Sequence, residues 1–175
     1  MRQLTKKICL LGDFYVGKTS LVRRFVEGRF DERYLTSIGV KVDRHVLQLP
    51  AAGGGAVLTF MLWDLASGPE GGPLVPSYYR GAAGAVIVCD LTRPDTVPGA
   101  TRYAEEALAL NPGASLVLAA NKVDLEQERA VTDDSLAAAA AEIRAPLFYT
   151  SAKTGEEVET MFRELGLLLV GAAGP

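Results

Sequence analysis

Lys7-Ile8-Cys9-Leu10-Leu11-Gly12-Asp13-Phe14-Tyr15-Val16-Gly17-Lys18-Thr19-Ser20-Leu21-Val22 is the stretch that decides the fold. The apolar run Lys7–Leu11 reads as a buried strand and stops at Gly12. From Ser20 to Val26, Leu21, Val22, Phe25 and Val26 recur on one side of a helix. The eight residues between them, GDFYVGKT at 12–19, fit the pattern G-x4-G-K-[ST] between a strand and a helix, which is the context that pattern requires. Successive backbone N–H groups of such a loop wrap a phosphate, and the helix N-terminus adds a favourable dipole. Lys18 brings a point charge to terminal phosphates, and the Thr19 hydroxyl suits Mg2+.

Strand-like and helical patterns alternate along the rest of the chain. Val40–Leu49 and Val57–Trp63 read as strands, joined by the flexible loop Pro50–Gly55. That connection is too short for a crossover, so the pair is antiparallel. Gly84–Cys89 (GAVIVC), Ser115–Ala120 (SLVLAA) and Pro146–Thr150 read as further strands, the first two apolar throughout. Helices are expected over 99–110, over Asp133–Arg144 with Thr132 or Asp133 as N-cap, and over Gly155–Val170. Val158, Met161, Phe162 and Leu165 stand at core spacing in the last of these. The expected architecture is a single α/β domain spanning 1–175. Its six-stranded sheet is mostly parallel with one antiparallel edge strand, and helices cover both faces. Residues 66–76 (ASGPEGGPLVP) oppose any regular helix.

Composition narrows the function classes. The chain has 175 residues, 49% hydrophobic and 22% charged, which excludes general disorder. A net charge of −3 argues against nucleic-acid binding held by bulk charge. No apolar run is long enough to span a bilayer, and Met1–Lys7 lacks the apolar segment of a signal peptide. Cys9 and Cys89 sit in apolar runs and read as buried free thiols of a reducing compartment. His45 reads as a solvated strand residue, and Val170–Pro175 carries no prenylation box. The expectations are a cytoplasmic monomer without its own membrane anchor.

Three further motifs fall just past strand ends. In Asn121-Lys122-Val123-Asp124 the Asp124 carboxylate can accept two N–H donors from one edge of guanine, whereas adenine would leave it unpaired. Asn121 can bond the ring from the side, and the Lys122 stem can lie over it. Ser151-Ala152-Lys153 follows the next strand, where backbone amides can meet the base oxygen. Asp64 can hold Mg2+ through water. All converge on the C-terminal strand ends, where open α/β sheets bind ligands.

On GDFYVGKTSL at 12–21, Ser37-Ile38-Gly39-Val40, Trp63-Asp64, Tyr78-Tyr79-Arg80-Gly81-Ala82, Asn121–Asp124 and Thr150–Lys153, the chain resembles a Ras-superfamily small GTPase, closest to the Rab branch. The resemblance implies a P-loop NTPase fold and a GTP/GDP switch using Mg2+, with effector and regulator proteins binding at switch I (29–40) and switch II (64–79). It implies nucleotide contacts from Asp13, Tyr15, Val16, Gly17, Lys18, Thr19, Ser20, Phe30, Tyr34, Ser37, Ser67, Asn121, Lys122, Asp124, Ser151, Ala152 and Lys153. It assigns Mg2+ to Thr19, Ser37 and Asp64, and catalysis to Lys18 and Ser37. Phe30, seven residues before Ser37, would pack edge-on against guanine, Tyr34 would cover the phosphates, and Ser20 would contact the α-phosphate.

Departures from the family pattern cluster at the γ-phosphate. Phe14 and Tyr15 stand where small residues are usual, and Ser37 replaces the switch I threonine while keeping a hydroxyl. Trp63-Asp64-Leu65-Ala66-Ser67-Gly68-Pro69 replaces W-D-T-A-G-Q-E, which puts Gly68 at the position of the water-orienting glutamine. Glu70, the nearby polar side chain, would repel the γ-phosphate. Slow hydrolysis is therefore the expectation. The alternatives are a GTP-binding interaction module with little or no hydrolysis, and a P-loop enzyme of another class, such as an ATP-dependent kinase.

Overall fold

A computed structural model describes residues 1–32, 39–51, 53–65 and 76–172. The expectations for Tyr34, Ser37, Ser67, Gly68, Glu70 and the irregular stretch up to Val75 lie outside the described residues. The centre of the molecule is β1 (Arg2–Leu11). It runs parallel to β3 (Ala56–Leu65) on one side and β4 (Gly84–Asp90) on the other. β2 (Val40–Leu49) pairs antiparallel with β3 at one edge. β5 (Ser115–Asn121) and β6 (Leu147–Thr150) extend the parallel sheet at the other, giving the order β2-β3-β1-β4-β5-β6.

Helices pack on both faces because β1, β4 and β5 are apolar on both sides. α1 (Lys18–Glu27) and α4 (Val158–Ala172) bury Leu21, Phe25, Met161, Phe162 and Leu165 against one face. α2 (Thr96–Leu110) and α3 (Asp133–Glu142) bury Val97, Tyr103 and Leu136 against the other. Thr132 is the N-cap of α3, its side chain accepting from the Ser135 N–H. Cys9 and Cys89 are free and buried, and burial pushes their thiols up to about 11 and about 12, away from reactive thiolate.

Some boundaries and one side chain differ from expectation. β1 begins at Arg2, because its polar first half pairs in register with Ala56–Phe60. α2 begins at Thr96 with Pro98 inside its first turn, where a missing N–H costs nothing. α4 begins only at Val158, after Gly155 and Glu157 adopt positive φ. His45 is not a solvated strand residue. It shares the inward face of β2 with Leu47 and Leu49, and its ring lies 4.2 Å from that of Phe25.

The Phe25 and Phe162 rings stack at 4.0 Å, with Phe60 at 6.5 Å from Phe162. Phe162 is fully buried, so Phe162→Ala removes packing from α1, α4 and β3 together. The expected cost is about 3–5 kcal/mol. A thermal melt should fall by about 10 °C.

Candidate functional site

The strand ends β3, β1, β4, β5 and β6 lie side by side, and each delivers a polar group to the same edge of the sheet. At β1, the loop Gly12–Gly17 leads into α1. Lys18 folds back so that Nζ donates to the Gly12 carbonyl at 2.8 Å and the Asp13 carbonyl at 3.1 Å. Burial pushes its ammonium down to about 8, against the pull of the Asp64 and Asp13 carboxylates. A phosphate arriving here would meet a positive charge held in a poorly solvated place.

Gly17 has φ 103, and a Cβ there would lie 2.4 Å from Asn121 Nδ2. The close approach lets Asn121 Nδ2 donate to the Val16 carbonyl at 2.9 Å, while Asn121 Oδ1 accepts from Thr150 Oγ1 at 3.0 Å. Asn121 is only 2% exposed, and its side chain ties the phosphate loop to β5 and β6. Tyr15 holds a left-handed backbone at φ 67, with its exposed ring edge-on to Phe14 at 4.1 Å. The Asp13 carboxyl faces α2, packed over Gly99 and 3.7 Å from Arg102.

At the end of β3, Asp64 is buried and its Oδ2 accepts from Thr19 Oγ1 at 2.6 Å. A hydroxyl and a carboxylate are hard oxygen donors. Mg2+ keeps several waters and phosphate oxygens, so one or two such protein ligands suffice for it. Among the described residues no group of three or more His, Cys, Asp and Glu comes together as a protein-only metal cage.

At β5 and β6 the base-reading candidates meet. Ser151 Oγ donates to Asp124 Oδ1 at 2.8 Å and accepts from the Thr154 N–H at 3.0 Å. Ala152 is buried, and Lys153 Nζ lies 3.5 Å from Glu32 on the loop that carries half-buried Phe30. Ser20 is half-buried in the first turn of α1, next to Thr19. Lys122 adopts φ 69 and pairs its ammonium with Asp90 Oδ2 at 2.7 Å, so its stem is anchored at both ends.

Asp90, Arg93 and Arg24 were missed by the sequence reading. Asp90 is fully buried at the end of β4. Burial raises its pKa, but hydrogen bonds from Lys122 and Thr92 outweigh that and hold it below the ordinary aspartate value. Arg93 Nε donates to Asp90 Oδ2 at 3.1 Å, and Arg93 Nη2 to the Phe14 carbonyl at 2.6 Å. Asp90 ends a strand just as Asp64 does, and that was the available signal. Arg24 had none, because its partners Ala152 and Lys153 stand 128 and 129 residues away.

The family model described as Ras family matches residues 7–169. Ras-related protein RHN1 of Nicotiana plumbaginifolia is 39% identical over 163 residues, covering 93% of this chain and 80% of that protein. Ras-related protein RabJ of Dictyostelium discoideum is 36% identical over 168 residues, 95% of this chain and 64% of that protein. Ras-related protein Rab-21 of Bos taurus is 33% identical over 165 residues, 94% of this chain and 72% of that protein.

Gly17→Ala should prise the loop from Asn121, because the added carbon overlaps Nδ2 and the backbone resists φ 103 with a side chain. Separating the loop leaves the Val16 carbonyl without its buried donor, a loss of about 1–3 kcal/mol. Equilibrium titration with a fluorescent guanine nucleotide should show at least a tenfold weaker dissociation constant, while circular dichroism stays native.

Proposed function

Since the chain belongs to the Ras family, in its Rab-like branch, we propose that this GTP-binding switch holds GTP and GDP with Mg2+ and hydrolyses GTP slowly. The observation that carries the nucleotide reading is the Asp124 carboxylate, held by Ser151 at 2.8 Å beside a loop that Asn121 locks to the same strands. Asp124 accepts the N–H donors of the guanine edge, and the backbone amides of 151–153 meet the base oxygen. Lys18 and the loop amides bind the terminal phosphates, and Ser20 the α-phosphate. Phe30 packs against the base, and Tyr34 covers the phosphates.

Thr19, Ser37 and Asp64 would hold Mg2+, Asp64 through water. Bound there, Mg2+ would neutralise charge on the β- and γ-phosphate oxygens. Hydrolysis needs water aligned with the γ-phosphorus, and Gly68 has no side chain to align it. Lys18 still stabilises the charge that develops on the phosphoryl oxygens, so the rate is low and not zero. Phe14 occupies the space an incoming arginine would use, which would blunt acceleration by a partner. Effector and regulator proteins read the nucleotide state at 29–40 and 64–79. No described helix is long and apolar enough to cross a membrane.

Denaturing the purified protein should release GDP or GTP, and GTP should outcompete ATP in Mg2+. Lys18→Ala should weaken nucleotide binding about a hundredfold. Asp124→Asn should move preference toward xanthine nucleotides, and retained GTP affinity would refute the base assignment. Single-turnover phosphate release should be slower than from a glutamine-containing relative. Phe14→Gly with Gly68→Gln should accelerate it more than Gly68→Gln alone. A wild-type rate equal to the relative's would refute slow hydrolysis, and no turnover at all would favour a binding module.

A further inference from the structure

Arg24 lies on α1, beyond the phosphate loop, and each of its three guanidinium nitrogens donates to a backbone carbonyl. Nε donates to Ala152 O at 2.7 Å, Nη2 to Lys153 O at 2.5 Å and Nη1 to Gly28 O at 3.1 Å. Two of these acceptors are consecutive residues of the loop that follows β6. A planar fork with fixed donor directions fixes both of their peptide planes.

Those planes have a second side. In a trans peptide the C=O and the following N–H point in opposite directions. The Lys153 carbonyl turned toward Arg24 therefore turns the Thr154 N–H away from it, and that N–H donates to Ser151 Oγ at 3.0 Å. With its oxygen occupied as acceptor, Ser151 Oγ directs its own proton to Asp124 Oδ1 at 2.8 Å. The result is a continuous relay from the Arg24 cation through one peptide and one hydroxyl to the Asp124 carboxylate. Each bond polarises the next in a site partly shielded from water. A carboxylate is otherwise broad in its terminal torsion, and meeting two donors on one ring edge requires its plane to be held.

We propose that Arg24 is a positioning residue for guanine selectivity, acting through the Lys153–Thr154 peptide and Ser151 Oγ to orient Asp124. This rests on the reading of Asp124 as acceptor of the guanine edge. The relay also predicts what a plain staple between α1 and the 151–153 loop would not. A staple, once cut, weakens every nucleotide alike. A misaligned Asp124 loses specifically its hold on the second N–H donor.

Inosine diphosphate isolates that donor, since hypoxanthine lacks the 2-amino group of guanine and is otherwise the same. The test measures dissociation constants of GDP and inosine diphosphate in Mg2+ for wild type, Arg24→Lys, Arg24→Met, Ser151→Ala and Asp124→Asn. Thermal melts verify folding. Wild type should prefer GDP, and Asp124→Asn should abolish that preference. Arg24→Met should lower the GDP preference by about tenfold. Arg24→Lys should lower it by less, because one ammonium cannot span both carbonyls as a fork does. Adding Arg24→Met to Ser151→Ala should lower it no further, since both cut one chain. If Arg24→Met does not fold, Arg24→Lys and Ser151→Ala decide by the same ratio. Equal weakening of both nucleotides in the Arg24 variants, with the wild-type ratio kept, overturns the inference while Asp124 stands. Wild type without GDP preference overturns the base reading itself, and the inference with it.

Discussion

The site depends on one buried amide. Asn121 gives its N–H to the Val16 carbonyl and takes the Thr150 hydroxyl on its oxygen, so a single side chain joins the phosphate loop, β5 and β6. At 2% exposure neither end has water to fall back on, and an unpaired amide there would cost about 1–3 kcal/mol. Those two bonds therefore set the spacing between the phosphate side and the base side. Gly17 follows from the same constraint, because nothing larger than hydrogen fits between the loop and Nδ2.

Sheet order then arranges the chemistry. Reading across β3, β1, β4, β5 and β6, the strand ends deliver Asp64, the Gly12–Gly17 loop, Asp90, Asn121–Asp124 and Ser151–Lys153. An elongated ligand with an ionic tail and a flat head, as the proposed nucleotide is, would meet these groups in the same sequence along one edge. Parallel strands make this possible, since their C-terminal ends all open on the same side. Asp90 fills the middle of that row by holding Lys122 toward the base side and Arg93 toward the phosphate loop.

Much of this was legible in the sequence, for physical reasons that also mark where legibility stopped. Gly84–Cys89 and Ser115–Ala120 are apolar throughout, and such runs fit a strand buried on both faces. The short loop Pro50–Gly55 forced the antiparallel edge pair, and the structure has it. Arg2–Lys6 lacked any such signal, because backbone pairing with β3 makes them a strand. His45 misled because its polarity suggested solvent, while the alternation of β2 aims it at Phe25. Within the site, motif residues could be named, but not what their side chains do at rest. Asn121 is a clamp, and the Lys122 ammonium is committed to Asp90. Arg24 was illegible because its partners are near only once the chain has folded.

Tyr15 has a consequence of another kind. Its backbone at φ 67 suits glycine, asparagine or aspartate far better than an aromatic residue, so the loop carries strain that a substitution can relieve. The genetic code makes the routes unequal. A tyrosine codon becomes an asparagine, aspartate or histidine codon by a single base change, whereas glycine requires two. A single base change at this position therefore reaches asparagine and aspartate, which tolerate the left-handed backbone, whereas glycine, which tolerates it best, is two changes away. Either of those single changes would relax the backbone and, by the same step, remove the ring that packs on Phe14 and change the polarity or charge of the loop.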